Sequence, residues 1–503
     1  MFDAFSSALY SLLDVKVLLL LLTGVFIGIV FGALPGLSSP IAMSVVLPLT
    51  FGMDPKAAIY LFVGIMGAVA FAGSIPAILL NTPGTAPNAV TCFDGFPMAR
   101  KGMAGMALGI SATASALGSL FGVVVLIILL PLMQIIVMAF SPPEYFMLIL
   151  FGLVCVAASA GKNFLKGLLI SGIGLLISFV GYSPVFGIVR FTGGSVYLFD
   201  GIQFIPVVVG VLAVSELLHY TAKGGAIAED LSSKDFSGVL DGVKEVFRHK
   251  MTLIRSAAVG TIIGMIPAVG GTTANFIAYS LTVRASKDPD SFGKGNPEGV
   301  IAAEAANDAK DGGALIPTLA FGIPGSAHMA VLLGAFILHG IVPGPLLIRD
   351  NMDIVWVLII GLVISNLLVS SIGLVSAPFL AKITTLKVSY IAPIVLVLCT
   401  FGTYAIRRNI WDIAVLIIFG ILGYCMKRFG FPTISFVIGY ILGKLAERAF
   451  TQSIMISSGD YSIFFTRPVS LTIFIILILV IILPILDKMR RKKGGNKIEE
   501  VSK

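Results

Sequence analysis

Three carboxylates and one carboxamide fall in line in the stretch EGVIAAEAANDAKDGGALIP. Glu304, Asn307, Asp308 and Asp311 recur at i, i+3, i+4 and i+7, so a helix would carry them on one face. Carboxylates that close repel, and they call for a cation between them, a neighbouring base such as Lys310, or a proton. Two further stretches join polar side chains to helix-breaking residues. In NTPGTAPN these are Asn81, Thr82, Thr85 and Asn88 around Pro83 and Gly84; in GIPGSAH they are Ser326 and His328 beside Gly322, Pro324 and Gly325. A broken helix exposes amides that suit an anion and carbonyls that suit a small cation. The chemistry on offer is recognition of an acid together with a cation. Bond-making has no such support: there is no G-x-x-x-x-G-K-[ST], no H-E-x-x-H and no G-x-S-x-G. No catalytic residue and no cofactor are expected, and no metal beyond a coupling ion, Na⁺ or H⁺.

The elements that must hold these residues lie in a membrane. The chain has 503 residues, 57% hydrophobic and 12% charged, with a mean hydropathy of +1.02. Soluble domains carry about twice that share of charge. Apolar runs comparable to a helical span recur along the chain and do not alternate as barrel strands would. The expected fold class is an all-α polytopic membrane protein with roughly 10–12 transmembrane helices. At the start, Phe2, Phe5, Leu9 and Leu12 fall at helical spacing, as a short helix on the membrane surface or as an extension of the first span. No signal peptide is read there. The net charge of +8 is concentrated partly in the tail KMRRKKGGNK and in loops such as MARKG, IRRN and MKRFG. Positive flanks stay cytoplasmic, which places the C-terminus inside. No basic domain stands apart, so nucleic acid is not an expected partner; the lipid bilayer is. Cys92, Cys155, Cys399 and Cys425 have no paired spacing and imply neither a disulfide framework nor a zinc site.

The chain repeats itself. GIVFGALPGLSS, from Gly28, matches GTIIGMIPAVGG, from Gly260, and IPAILLNTPGTAPNAV, from Ile75, aligns without gaps to IPTLAFGIPGSAHMAV, from Ile316. The expected organisation is an N-terminal membrane repeat (1–218), a polar linker (219–254), a C-terminal membrane repeat (255–487) and a basic cytoplasmic tail (488–503). The repeats could be inverted or parallel. Broken helices at matching places in two repeats point to a transporter's binding site. In hydrocarbon, each backbone group orphaned by a break costs several kcal/mol, so the breaks must lie outside the membrane or line a wet cavity within protein. In the second copy, GGALIPTLAFGI and HMAVLLGAFIL read as two short arms of a re-entrant hairpin about PGSA; in the first copy an ordinary loop also fits.

On this reading the substrate side comprises Ser38, Ser39, Asn81, Thr82, Pro83, Gly84, Thr85, Gly322, Pro324, Gly325, Ser326 and His328. The cation side comprises Asn88, Gly270, Gly271, Thr272, Thr273, Asn275, Glu304, Asn307 and Asp308. The blander alternatives are hydroxyls bonded back within their helices, and glycines that let helices approach. Gly24, Gly28 and Gly32 fit the packing role best. The polar line could belong to a hydrated helix outside the bilayer, and His328 could be a simple helix-start residue or a pH sensor. Two rival functions remain: a membrane-embedded enzyme using the Glu304/Asp308/Asp311 stripe, and a passive anion channel.

The long motifs carry a resemblance. The stretch from GALPGLSSPIAMSVVLPLTFGMDP to NTPGTAPNAVTCFDGFPMARKG resembles the large permease subunit of the tripartite tricarboxylate transporters, the TctA family. So do GMIPAVGGTTANFIAYSLTVRASKDP and PEGVIAAEAANDAKDGGALIPTLAFGIPGSAHMAV. The resemblance implies a bacterial inner-membrane symporter for tricarboxylates or other small organic carboxylates. It implies two partners, a small four-helix membrane subunit and a periplasmic substrate-binding protein. It also implies inverted repeats with re-entrant hairpins and an elevator-like movement. Carried onto this chain, the NTPGT and GIPGS tips would face the substrate. EAAND departs from the family pattern, in which a second Asn is usual at the position of Asp308.

Overall fold

The structure, a computed structural model, describes residues 2–34, 36–159, 164–183, 186–223, 237–267, 269–383 and 388–482. The tail at 488–503, residues 224–236 of the linker and Pro35 lie outside the described residues. In the first stretch of chain the helices are α1 (Phe2–Ser11), α2 (Val15–Ala33), α3 (Ser39–Val46), α4 (Pro55–Ala72), α5 (Ser74–Leu80), α6 (Thr91–Arg100), α7 (Ala104–Ala139), α8 (Pro142–Ser159) and α9 (Phe164–Ser178). Then come α10 (Phe204–Val209), α11 (Ser215–Lys223), α12 (Val239–Arg248), α13 (Lys250–Gly264), α14 (Gly270–Ala285), α15 (Pro297–Phe321) and α16 (Ala327–Leu338). Then follow α17 (Pro345–Asp350), α18 (Met352–Ile383), α19 (Val388–Arg407), α20 (Ile410–Arg428), α21 (Thr433–Ile456) and α22 (Ile463–Thr466), and an apolar helix at Pro468–Ile482. The only strands among the described residues are the two-residue pair Gly181–Tyr182 and Val189–Arg190. The chain is an all-α polytopic membrane protein.

Among the described residues, five helices are long and apolar enough to cross a membrane: Val15–Ala33, Pro55–Leu80, Ala104–Ala139, Met352–Ala377 and Ile410–Arg428. Others, such as Phe204–His219 and Ala327–Leu338, are apolar but shorter. The N-terminal pattern makes a separate helix, α1. Asp14 ends the interruption after it by accepting a hydrogen bond from Lys16 N at 2.8 Å, capping α2.

Two compact units are distinguished, residues 1–137 with 203–429, and residues 138–202 with 430–503. In the first unit α2 lies against α4 with almost nothing between the backbones. A Cβ on Gly28 would stand 2.7 Å from Ile65 O, and one on Gly32 would stand 2.7 Å from Val69 O. The glycines at four-residue spacing thus do the packing work expected of them. Helix α4 is buried on all sides, from Ala57 to Ala72. Helix α12, within the polar linker, packs on the start of α7, where a Cβ on Gly242 would stand 2.8 Å from Ile110 N. In the second unit, α21 crosses α9 at Gly174, Gly439 and Gly443, and Glu447 is held by Arg190 at 2.6 Å and Ser183 Oγ at 2.9 Å.

Candidate functional site

The two breaks share one local design. Asn81 ends α5 in the left-handed region at φ 54°, and Gly322 ends α15 there at φ 66°. The next amide reaches back over the turn in both: Thr82 N donates to Pro76 O and Ile323 N to Pro317 O, each at 3.3 Å. This closes a Schellman-like end, with two successive amides sharing one carbonyl of the last turn. The arms differ from expectation. The second copy has no short first arm, because α15 runs unbroken through Gly312 and Gly313 for 25 residues. Those glycines are contact points: a Cβ on Gly312 would meet Gly122, and one on Gly313 would meet Thr261. The first copy is not an open loop but two helices, α5 and α6, around the tip and a 3₁₀ turn at Ala86–Ala89.

Backbone contacts fix the first tip. Gly84 N donates to Gly73 O at 3.1 Å, and Gly36 N donates to Gly84 O at 3.2 Å. A Cβ on Gly84 would lie 2.5 Å from Gly73 Cα. The turn carrying Ser38 and Ser39 is thereby tied to the tip carrying Pro83 and Thr85. Asn88 is wholly engaged within the protein: Nδ2 donates to Ser74 Oγ at 2.7 Å and Ala70 O at 3.1 Å, and Oδ1 accepts from Thr85 N and its hydroxyl. Asn81 is exposed, Thr82 Oγ1 donates to Leu80 O at 3.2 Å, and Ser39 Oγ faces Met43 Sδ at 3.5 Å.

Helix α15 is the centre of the site. It is buried along almost its whole length, so the line Glu304, Asn307, Asp308 and Asp311 does not lie on a hydrated surface; each is at most 2% exposed. Glu304 accepts from Ser74 Oγ at 2.7 Å, from Ser115 Oγ at 3.0 Å and from Thr91 Oγ1. Hydroxyls from α5, α6 and α7 thus converge on one carboxylate. Further along, Asp311 Oδ1 accepts from Lys310 Nζ at 2.8 Å and lies 3.0 Å from His328 Nε2, which itself lies 3.0 Å from Ser326 Oγ. Among the described residues, both Asp308 oxygens and Asn307 Nδ2 have no hydrogen-bond partner.

The two breaks and the start of α14 meet at Lys310. A Cβ on Gly271 would stand 2.6 Å from Lys310 Cδ and 3.1 Å from Pro87 Cγ. Asn275 Nδ2 donates to Pro87 O at 3.1 Å, while Asn275 Oδ1 is buried without a partner. A Cβ on Gly325 would lie 2.7 Å from Ala314 Cα, which seats the second tip on α15 just past Asp311. Helices α14 and α16 both begin here without a side-chain cap, so their first amides are open to an anion. Gly270 has φ 76° with open space around it. Thr272 and Thr273 instead line a shallow recess of about 450 Å³ along α14, with Phe276 and Arg284. Arranged this way, the site can hold an acid against Lys310, His328 and helix N-termini, with oxygen ligands for a cation close by on α15.

Residues 18–438 match the model of the tripartite tricarboxylate transporter TctA family. The chain belongs to the TctA family. An Agrobacterium vitis protein described as an uncharacterized 52.8 kDa protein in the TAR-I ttuC' 3' region is 34% identical to this TctA-family chain over 487 residues, covering 95% of each. A second protein of the same organism, described as an uncharacterized protein in the TAR-II ttuC' 3' region, is 34% identical over 241 residues, 48% of this chain and 100% of the relative. No solved structure matches. TctA is a transporter family, and the chain is a multi-pass membrane protein of it.

Sequence reasoning missed several residues that the structure brings into the site of this TctA-family chain. Ser74, Thr91 and Ser115 carry no local signal beyond Ser111, Ser115 and Ser119 recurring every fourth residue. Asp94, 1% exposed, was missed as well. Its Oδ1 accepts from Gly295 N and Asn296 N, both at 2.8 Å, and its Oδ2 accepts from Tyr279 OH at 2.8 Å. It clamps α6 onto the loop that launches α15.

Proposed function

We propose that this chain is the permease of a secondary active transporter for tricarboxylates or other small organic carboxylates, driven by a cation gradient, Na⁺ or H⁺. The observation that carries this reading is the convergence of both helix breaks on the buried Lys310–Asp311–His328 group. An arriving carboxylate would compete with Asp311 for Lys310 and His328, and the uncapped starts of α14 and α16 would complete its coordination. Asp308 and Glu304, one and two turns away on the same helix, supply oxygens for the coupling cation, so acid and cation sit on one rigid element. The family supports the remaining parts: a small four-helix membrane subunit, a periplasmic binding protein that delivers the acid, and a place in the bacterial inner membrane with the C-terminus cytoplasmic. Two repeats, inverted, with an elevator-like movement, would alternate access to the site. The test is uptake of labelled tricarboxylates and dicarboxylates into vesicles holding the permease with its small subunit, the binding protein supplied. The expected result is saturable accumulation under an imposed Na⁺ or H⁺ gradient. Equal uptake with no gradient overturns the coupling, and uptake of none of these acids overturns the substrate class.

A further inference from the structure

The structure leaves a bare carboxylate in a row of oxygens. Asp308 is 1% exposed, and neither of its oxygens has a hydrogen-bond partner among the described residues. Burying a polar group unpaired destabilises the fold, and burying a charged one does so more. Its neighbour across the helix interface is α7. A Cβ on Gly118 would lie 2.8 Å from Ala305 Cα, and one on Gly122 would lie 3.1 Å from Ala309 Cα. Four residues along α7 therefore match four along α15, with the two helices running in the same direction. Ser115 lies 3.0 Å from Glu304. The same step of four on both helices brings Ser119 level with Asp308. Ser119 Oγ is also buried without a partner.

We infer that Asp308, Ser115, Ser119 and Glu304 form a binding site for one dehydrated alkali cation of the size of Na⁺, held between α7 and α15. The ligands are all oxygens, as a hard cation requires. Ser115 gives its proton to Glu304 and keeps its lone pairs for the cation. Glu304 is already stabilised by three hydroxyl donors, and Lys310 already neutralises Asp311. Helices α7 and α15 pack too closely at Gly118 and Gly122 to admit the waters that Mg²⁺ retains, which favours a monovalent ion over a divalent one. The site lies between α7 and α15, outside the NTPGT and GIPGS tips, and it rests on the reading of this chain as a cation-coupled carrier.

The test needs neither substrate nor a sealed membrane. The purified full chain in detergent is heated in NaCl, KCl, MgCl₂ or choline chloride at constant ionic strength and pH. A ligand that binds only the folded state raises the melting temperature with concentration. The wild type is expected to show a saturable rise in NaCl over choline chloride. Asp308→Asn is expected to lose it, and Ser119→Ala to move its midpoint up by about tenfold or more. Each variant is compared with itself in choline, so a change in baseline stability does not confuse the reading; if Asp308→Asn does not fold, Ser119→Ala decides. A wild type indifferent to Na⁺, a response to Mg²⁺ in its place, or an unchanged midpoint in Ser119→Ala overturns the site. Failure of carboxylate uptake in vesicles leaves this Na⁺ response intact, so the two claims fall separately.

Discussion

Ser74 and Glu304, 230 positions apart in the chain, are joined by a hydroxyl that lies 2.7 Å from both carboxylate oxygens. Ser74 also accepts from Asn88, so a single hydroxyl ties the first break to the buried face of α15. The first broken segment is thus anchored on the polar helix that leads into the second.

Removing that anchor should cost stability. Ser74→Ala leaves Asn88 Nδ2 and Glu304 each short of a partner in a buried place, a loss of about 1–3 kcal/mol. The double variant Ser74→Ala with Glu304→Gln removes the buried charge as well and should recover part of it. Melting temperatures of the purified chain in detergent read both; a double variant no more stable than Ser74→Ala alone would show that the carboxylate's charge is not what Ser74 compensates.

The left-handed ends of the two breaks differ in residue type, and the difference can be measured. Gly322→Ala puts a side chain at φ 66°, at a cost of about 1–2 kcal/mol. Asn81→Gly at φ 54° should leave stability unchanged within about 1 kcal/mol, because Asn tolerates that region and Gly prefers it. A lower melting temperature for Asn81→Gly than for Gly322→Ala would contradict this.

Lys310→Met should weaken carboxylate uptake, raising the half-saturation concentration about tenfold to a hundredfold, the value of a hydrogen bond to a charged group. Lys310→Arg should not restore it. The lysine stem lies where a Cβ on Gly271 would stand only 2.6 Å from it, and the wider guanidinium has no room there. Because Lys310→Met strands Asp311, the variant Lys310→Met with Asp311→Asn is the proper control: it should recover folding and keep the raised half-saturation concentration.

Asp94→Asn should loosen the loop ahead of α15. The carboxylate accepts from two backbone amides and a phenol, and an amide in its place turns one acceptor into a donor facing a donor. Trypsin cutting at the exposed Lys294 should become faster than in the wild type, while Tyr279→Phe, which removes only one donor, should lie between. Equal cleavage rates in all three would remove Asp94 from that role.

Much of the scaffold was legible before any coordinates. The lack of charge fixed the class, and Gly24, Gly28 and Gly32 read correctly as a packing stripe because close helix approach needs small residues at that period. The line on α15 was legible as periodicity, but its burial was not, because the same spacing also fits a hydrated helix. The same glycine logic failed at Gly312 and Gly313, which resemble a break in sequence and serve as contacts in space. Ser74, Thr91, Ser115 and Asp94 were illegible for a different reason. Their partners lie on other helices far along the chain, and a lone serine inside an apolar helix looks the same whether it bonds its own backbone or another helix's carboxylate.

Gly36, Gly73 and Gly84 are stacked main chain on main chain, with no side chain between them. Such a joint has no slack: it lacks the flexible atoms through which neighbouring segments slide. Whatever displacement the working cycle demands, these three points travel as a single weld, and the bending must happen elsewhere.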